Sequence, residues 1–148
     1  MPLPPFTNSG DLPLGVHQAS LKEVLPRFGV DSRQRMAVAQ RLERIHRLAK
    51  ATGHLSRFVI FGSFVTAKLE PNDVDVFLLM EDSFDAAQLQ GEEALLFHHA
   101  STDVHFGASV FWVRRLAALG GEQSTIEYWQ AKRGGGQRGI VEIVEEKA

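Results

Sequence analysis

Three aspartates, Asp73, Asp75 and Asp103, have the types and spacing that could hold a metal ion. Asp73 and Asp75 open an apolar run, and Asp103 lies in a later alternating segment. If the two predicted strands pair, the three carboxylates are expected to converge on one open patch. Alternate side chains of a strand point to the same side, so Asp73 and Asp75 are expected to share a face. Carboxylates brought to about 5 Å repel by on the order of 3 kcal/mol at an effective dielectric of about 20. A hard cation such as Mg²⁺ or Mn²⁺ removes that cost, so the pattern predicts an all-oxygen metal site.

Gly62 and Ser63 offer donors for an anion. They directly follow the apolar run Phe58–Phe61, where a strand is expected to end in a tight turn. Glycine lets a phosphate group approach the backbone closely, and the serine hydroxyl adds a donor beside the amide groups of a predicted helical turn. Phosphate oxygens could then bridge these donors and two metal ions on the aspartates, which is the arrangement used in two-metal phosphoryl chemistry.

The central part of the chain, about residues 56–106, resembles the DNA polymerase β-like nucleotidyltransferase superfamily. The family pattern is an apolar residue with Gly-Ser, a spacer, Asp-x-Asp in apolar surroundings, and a later strand with a third acidic residue. The matching segments are Phe61-Gly62-Ser63, Asp73-Val74-Asp75 and Asp103-Val104. Among its members, the chain looks most like the minimal bacterial nucleotidyltransferases, some of which are toxins or antitoxins. It is also similar to an uncharacterised bacterial subgroup that shares its leader.

The resemblance implies a polymerase β-like fold and an enzyme that transfers a nucleoside monophosphate from an NTP to a hydroxyl, with release of pyrophosphate. Asp73 and Asp75 would hold Mg²⁺ or Mn²⁺. Asp103 would complete the second metal site and help to deprotonate the acceptor. Gly62 and Ser63 would bind phosphate. The acceptor is left open among a protein, a tRNA and a small molecule.

The chain departs from the family pattern after Gly-Ser, and the identity of the third acidic residue stays open. Many minimal members carry Arg-Gly soon after Gly-Ser, whereas this chain has Val65-Thr66-Ala67-Lys68. Lys68 is therefore expected to take over a phosphate contact. Other acidic residues could substitute for Asp103 as the third acid: Asp85, Glu92 and Glu93.

Non-enzymatic interpretations also fit the sequence. One is an antitoxin-like or partner-binding module with a vestigial site, which would bind a cognate toxin or antitoxin protein through its proline-rich arm or its arginines. Another is an RNA-binding module that uses the basic face of the helix predicted over 33–52, although such a stripe is more often a solvated helix face. That face carries Arg33, Arg41, Arg44 and Arg47.

Several other residues have both a functional and a structural interpretation. His105 shares the predicted face of Asp103 and could touch the nucleotide, or it could be a polar residue on the wetter side of a strand. The basic segment 132–138 could close over a triphosphate or form a charged hairpin loop. Three aromatic residues could stack a base or belong to the core: Trp112, Tyr128 and Trp129.

The elements that must position these residues follow from periodicity and caps. Residues 1–18 are rich in proline and glycine and predict an extended arm, which precedes a single domain over 19–148. Ser20 and Glu23 have capping-box spacing and predict a short helix that ends near Gly29. Asp31 and Ser32 then precede a longer amphipathic helix over 33–52.

The remaining elements alternate between strand and helix. Strands are predicted over Phe58–Phe61, Asp73–Met80, Thr102–Phe106 and Ile140–Val144. Helices are predicted over Ser83–Ala100 and Glu122–Lys132, and Val110–Leu119 fits either element, with helix favoured. These elements predict an α/β (α+β) domain with a small mixed sheet, helices packed on one face, and the acidic site open on the other.

The composition fits one soluble domain. A chain of 148 residues with 44% hydrophobic and 23% charged residues is long enough to bury roughly 70% of its unfolded surface. The net charge of −2 gives no global attraction to nucleic acid. The absence of cysteine excludes disulfides and thiolate metal sites and favours a cytoplasmic protein. No secretion signal and no membrane span are expected.

Overall fold

The computed structural model describes residues 3–118, 120–132 and 134–145 of the chain. Within these ranges one sheet has the strand order β1-β5-β2-β3-β4. The strands are Val16–Ala19 (β1), Leu55–Phe61 (β2), Val74–Met80 (β3), Ala108–Arg114 (β4) and Ile140–Ile143 (β5). The helices are Leu21–Phe28 (α1), Arg33–Ala51 (α2), Gly91–Leu96 (α3), His99–Phe106 (α4) and Glu122–Tyr128 (α5).

The sheet is mixed, which confirms the predicted α/β class. β2 is antiparallel to both β3 and β5, whereas β1 is parallel to β5 and β4 is parallel to β3. Parallel neighbours need a crossover connection, and α3 and α4 form the connection between β3 and β4. The register places Asp75 opposite Phe61 on β2 and opposite Ser109 on β4.

Helices α1 to α4 cover the first face of the sheet. The buried stripe of α2 and alternate residues of β3 share one large apolar core, which includes Val38, Leu42, Ile45, Val76, Leu78 and Met80. The predicted caps of α1 are confirmed, because the Ser20 side chain accepts from the Glu23 amide and the Glu23 side chain accepts from the Ser20 amide. The sequence pattern of α2 is confirmed as well, and Ser32 is its N-cap.

The second face of the sheet carries α5 and a smaller core, so the prediction that helices pack on one face only is wrong. Its buried members are Val59, Phe77, Leu79, Ile126 and Ile140. Arg57 on β2 forms a two-pronged pair with the buried Glu142 on β5, at 2.8 and 2.7 Å, and reaches Gln123 of α5 at 3.4 Å. Hydrogen bonding to Glu142 raises the pKa of Arg57. These contacts help to hold α5 on the sheet.

Two predicted elements between 83 and 119 are wrong, and a third is the strand that was the less favoured of its two alternatives. Thr102–Phe106 is not a strand but part of α4, and Thr102 and Phe106 are its buried residues. Five residues cannot distinguish a period of two from a spacing of four, because Thr102 and Phe106 satisfy both patterns. Gly107 ends the helix in the left-handed conformation with φ +61°.

The other two differences lie on either side of α4. The single helix predicted over 83–100 is replaced by a short 3₁₀ turn, Ala86–Gln88, followed by α3 and the start of α4. The segment favoured as a helix over 110–119 contains most of β4, whose Val-Phe-Trp-Val run has the β-branched and aromatic residues that suit a strand. Leu119 lies outside the described residues.

The arm predicted over 1–18 ends within the sheet. Residues 16–19 form β1, which pairs in register with β5. The described part of the arm is tied to the body by backbone hydrogen bonds, including Ala67 N–H to Gly10 O at 2.8 Å and Gly139 N–H to Leu12 O at 3.1 Å. No helix in the described ranges is both long and apolar enough to span a bilayer.

Candidate functional site

A cavity of about 390 Å³ lies on the second face of the sheet, where β2 ends and β3 and β4 begin. Its wall combines the carboxylate of Asp75, the hydroxyl of Ser109 and the cations of Lys132 and Arg138. Aromatic side chains complete the wall: Phe61, Phe111, Tyr128 and Trp129. A carboxylate, cations and aromatic rings in one cavity are the groups that could contact a metal ion, a phosphate and a base.

Asp75 lies against the backbone of Gly62. A Cβ atom added to Gly62 would lie 2.1 Å from Asp75 Oδ2, so a side chain at this position would displace the carboxylate. Gly62 also has φ +81° and ψ −165°, a conformation that is nearly confined to glycine. Close approach and backbone conformation therefore both require glycine here, and the two predicted motifs meet at this contact.

The predicted helical turn after Gly62 is present as a 3₁₀ turn over Ser63–Val65. Thr66 closes the turn by donating its backbone N–H and its hydroxyl to Ser63 O, at 3.1 and 2.7 Å. Ser63 itself is half-buried. The turn is therefore held by local hydrogen bonds at the end of β2.

A buried arginine that the sequence analysis missed holds this turn to the helices. Arg35 on α2 is only 4% exposed. Its Nη1 donates to Phe28 O at 3.0 Å and Phe64 O at 2.8 Å, its Nη2 donates to Thr66 O at 2.6 Å, and its Nε donates to Lys68 O at 2.9 Å. Burial lowers the pKa of Arg35. One guanidinium thus connects the end of α1 to residues 64–68.

The sequence pattern of α2 could have indicated that Arg35 is buried. Arg35 precedes Val38 by three positions and Leu42 by seven, so it falls on the buried stripe of α2. A cation at such a position must find hydrogen-bond acceptors within the protein.

Of the predicted site residues of the motif, only Asp75 is among the described residues of the cavity wall. Asp73 is half-buried and directly precedes β3. Val74 and Val76 belong to the large core of the first face, so alternation directs Asp73 and Asp75 to the second face. Lys68 is exposed, and among the described residues the cavity wall contains neither Lys68 nor Asp73.

Asp103 is not beside Asp75 on a neighbouring strand, because it lies on α4 and is exposed. The strand neighbour of Asp75 is Ser109. In the part of the chain that the structure describes, no three His, Asp or Glu side chains are grouped so that they could hold a metal ion. The predicted convergence of three carboxylates is therefore not seen, and His105, exposed on α4, does not share a strand face with the site.

The alternative third acids also lie elsewhere. Asp85 accepts a hydrogen bond from the Ala87 amide at 3.0 Å, and Glu92 pairs with Arg44. Glu93 lies in the first turn of α3. No other carboxylate among the described residues joins Asp75 in the cavity wall.

The donor set on β3 fits one hard cation. Mg²⁺ is commonly bound through one or two carboxylates while phosphate oxygens and water complete its six positions. Asp75 faces the cavity, and alternation directs Asp73 to the same side of the sheet. These two side chains could supply the carboxylates. The residues present therefore suit a Mg²⁺ ion that arrives with a phosphate ligand.

The basic segment 132–138 forms a hairpin at the cavity. Ala131 bridges to Gln137, Lys132 N–H donates to Gly136 O at 2.9 Å, and Arg138 N–H donates to Gln130 O at 2.9 Å. The predicted hairpin is thus confirmed for the described residues, and its two ends place Lys132 and Arg138 in the cavity wall. Arg133, which the same prediction included, lies outside the described ranges.

The three aromatic residues separate into two groups. Trp112 belongs to the large core, with its ring 5.3 Å from Phe84. Trp129 lies 4.5 Å from Phe61 in the cavity wall, and its buried Nε1 has no hydrogen-bond partner among the described atoms. Tyr128 is 68% exposed and packs edge-on against Trp129 at 5.3 Å. Trp129 also packs against the small core, so of these three residues Tyr128 and the exposed part of Trp129 are placed where they could contact a base.

The arginine face of α2 does not form a continuous basic stripe. Arg44 pairs with Glu92 and lies over the Phe106 ring at 4.7 Å. Arg41 is half-buried and donates to Asn72 O at 3.4 Å. Of the four arginines, only Arg33 and Arg47 are exposed.

A second cavity, of about 640 Å³, lies between α1, α2 and the end of β5. Its charged residues are of both signs, and Lys50 pairs with Glu145 at 2.7 Å. Burial and the neighbouring Lys50 lower the pKa of His46, and Glu145 partly opposes them. The described residues of this cavity include no glycine turn and no paired aspartates, so the first cavity is the better candidate site.

The fold and the first cavity define a mixed α/β domain with a charged, aromatic-walled site at the strand ends. The chain belongs to a family of unknown function, DUF6932, whose family model matches residues 4–144. No curated protein and no solved structure shows a significant match to the chain.

Proposed function

We propose that this protein is a Mg²⁺-dependent nucleotidyltransferase of the DNA polymerase β-like type, which transfers a nucleoside monophosphate from an NTP to a hydroxyl acceptor and releases pyrophosphate. The observation that carries the proposal is the contact between Gly62 and Asp75 Oδ2. It joins the phosphate-binding motif to the carboxylate motif next to Asp75, which lines the cavity, although Gly62 and Ser63 are not among the described residues of the cavity wall. The antiparallel pairing of β2 and β3 that creates this contact also supports the polymerase β-like fold.

The residues have distinct roles in this proposal. Gly62 and Ser63 present the start of a helical turn to phosphate oxygens, and the hydrogen bonds of Arg35 keep that turn in place. Asp73 and Asp75 are the ligands for Mg²⁺, or Mn²⁺ in its place. The bound ion would polarise the α-phosphate and neutralise the leaving pyrophosphate. Lys68 is exposed, so its side chain would have to extend from the loop toward the cavity to contact a phosphate.

The aromatic part of the cavity suits the base of the nucleotide. Tyr128 and Trp129 offer ring faces next to Phe61, and base stacking on such rings tolerates different bases. Asp103 is exposed on α4 and has no role as ligand or base in this proposal, which relies on Asp73 and Asp75. The acceptor would be a protein, a tRNA or a small molecule, and the proposed location is the cytoplasm.

The direct test is thermal unfolding of the wild type and Asp75→Asn with each NTP, with and without Mg²⁺. A ligand at about a hundred times its dissociation constant adds about 2.7 kcal/mol, or roughly 5–10 °C for a domain of this size. We expect a Mg²⁺-dependent rise in the wild type that Asp75→Asn abolishes. Asp103→Asn is the matched control, because it removes the same charge from an exposed position on α4 and should keep the rise.

Activity is tested on the same proteins by the release of pyrophosphate from the NTP that gives the largest rise. Asp75→Asn should abolish release while the circular dichroism spectrum stays that of the wild type. Full activity in that variant would overturn the proposed roles of the aspartates. The absence of any nucleotide-dependent rise in the wild type would overturn the proposal of a nucleotide site.

One observation favours a second candidate, a partner-binding module with a vestigial site. Ser109, rather than an acid, lies opposite Asp75 on β4, and no third carboxylate joins the aspartates among the described residues. This candidate would be antitoxin-like and would bind a cognate toxin or antitoxin protein. It predicts a stoichiometric partner on purification from the native host, and unchanged binding of that partner by Asp73→Asn and Asp75→Asn.

A further inference from the structure

Two cations and one carboxylate from distant parts of the chain meet at the rim of the Asp75 cavity. Lys132 Nζ lies 2.5 Å from Asp11 Oδ2, and Arg138 Nη1 lies 3.7 Å from Asp11 Oδ1. The three side chains are largely shielded, with 31%, 24% and 12% of the side chains of Lys132, Arg138 and Asp11 exposed. Lys132 and Arg138 also line the cavity, whereas Asp11, in the arm, is not among the described residues of the cavity wall.

The charges of this cluster do not balance. One carboxylate faces two cations, so the group has one formal positive charge in excess. Asp75 of the cavity wall would balance that charge unless it binds a cation, as the proposed function assigns. Partial burial strengthens the field of such a group compared with cations in open water. Arginine presents a planar fork of donors that matches phosphate, and lysine adds a mobile point charge. The cluster therefore suits an anion with several oxygens, such as a chain of phosphates.

The arm fixes the cluster relative to the Gly62 turn. Gly10, next to Asp11, accepts a hydrogen bond from Ala67 at 2.8 Å, and Leu12 accepts one from Gly139 at 3.1 Å. Asp11 is thus held between the loop that follows Gly62 and the hairpin that carries the two cations. The cations and the glycine turn are parts of one connected framework around the cavity.

We propose that Lys132 and Arg138 bind the phosphates of the ligand in the Asp75 cavity. Polyphosphate is the chemical class that they recognise, and its identification as the triphosphate of an NTP rests on the proposed function. In that case the glycine turn and the hairpin contact the triphosphate from two sides, and Tyr128 and Trp129 remain available for the base. The hairpin residues would then supply the phosphate contact in place of Lys68, which is exposed and is not among the described residues of the cavity wall.

The test uses isothermal titration calorimetry with inorganic tripolyphosphate and, separately, with each NTP and Mg²⁺. Lys132→Gln and Arg138→Gln should each weaken tripolyphosphate binding about ten-fold or more, as expected for one charged hydrogen bond. The double variant should weaken it further and should lower the dependence of affinity on salt. Arg115→Gln is the matched control, because Arg115 is an ion-paired arginine that is not in the cavity wall, and it should bind as the wild type does.

Charge-preserving variants keep the test valid if a glutamine variant unfolds. Arg138→Lys retains the charge but not the fork, and we expect it to bind tripolyphosphate more weakly than the wild type and more tightly than Arg138→Gln. Lys132→Arg should bind nearly as tightly as the wild type. Thermal unfolding of each variant without ligand would show that the folded protein is being titrated.

The outcomes separate this inference from the proposed function. If the wild type binds NTP with Mg²⁺ and the glutamine variants bind it equally well, the inference is overturned and the proposed function stands. If the variants lose tripolyphosphate binding but the wild type shows no Mg²⁺-dependent nucleotide response, the inference stands and the proposed function is overturned. A wild type that binds neither probe overturns both.

Discussion

The two faces of the sheet share the same strands but differ in what covers them. On the first face, helices α1 to α4 close over β3, and Val76, Leu78 and Met80 are fully buried. On the second face, α5 covers Phe77 and Leu79 but leaves the start of the strand, with Asp75, in a cavity. One strand therefore belongs to a sealed apolar core on one side and to a charged site on the other.

The difference shows how a small domain can separate stability from chemistry. The first core extends over the long amphipathic helix α2, whereas the second has few fully buried members, of which Ile126 comes from α5. Charged groups are costly in a sealed core, and at the end of a partly covered face they can remain hydrated. We therefore expect substitutions on the first face to affect folding most, and those on the second to affect ligand binding.

The largest effect is expected from a pair of adjacent leucines in β3. Leu78 and Leu79 are both 0% exposed, but Leu78 belongs to the large core and Leu79 to the small one. Leu78→Ala should cost about 4 kcal/mol of the free energy of unfolding and Leu79→Ala about 3 kcal/mol, because the thinner core can relax into the deleted volume. Urea denaturation measures both values. A larger loss in Leu79→Ala would contradict the comparison.

The next largest effect is expected at Arg35, which connects the helices of the first face to the turn after Gly62. Arg35→Lys keeps the charge but cannot reach the carbonyls of Phe28, Phe64, Thr66 and Lys68 together. We expect a loss of about 2 kcal/mol in the free energy of unfolding and weaker nucleotide binding, because the Gly62 turn is released. Calorimetry and urea denaturation test the two effects. Arg33→Lys, on the exposed side of the same helix, should change neither.

A similar loss of stability, confined to the second face, is expected for Gly62→Ala. Alanine would be strained at φ +81° and would meet Asp75 Oδ2, so we expect a cost of about 2 kcal/mol and loss of the Mg²⁺-dependent nucleotide response. Gly53→Ala is the matched control, since Gly53 has φ +77° but nothing within 4 Å of an added Cβ. It should lose about 1 kcal/mol and keep the nucleotide response in the thermal unfolding assay.

The smallest expected effect is a pH dependence of the free energy of unfolding, which comes from His46, outside the candidate site. The pKa of His46 is lowered from 6.5, first by burial and then by Lys50, so the unfolded chain binds a proton more readily than the folded protein. Neutral His46 therefore favours the folded protein. Its contribution to the free energy of unfolding is complete above about pH 6.5 and declines as the pH falls below that value. His46→Gln should flatten the pH dependence of the urea midpoint in this range. An unchanged profile would show that His46 does not titrate differently on folding.

Part of the fold was predictable from local patterns. The caps at Ser20 and Ser32, the stripe of α2 and the apolar runs of β2 and β3 are confirmed, because each depends on neighbouring residues alone. Short segments were not predictable. Thr102–Phe106 satisfied both periods, and only the burial of Thr102 and of Phe106, which joins the first core, selects the helix.

The sequence alone determined the local parts of the candidate site. Gly62 is needed for the turn, and the alternation of Asp73, Val74 and Asp75 separates carboxylates from core, because backbone conformation and strand period are properties of adjacent residues. Tertiary structure alone decided which distant groups join them. It replaced Asp103 by Ser109 beside Asp75 and brought Lys132 and Arg138 to the cavity. Strand register and hairpin placement depend on contacts between residues far apart in the chain, and no spacing within the sequence specifies those contacts.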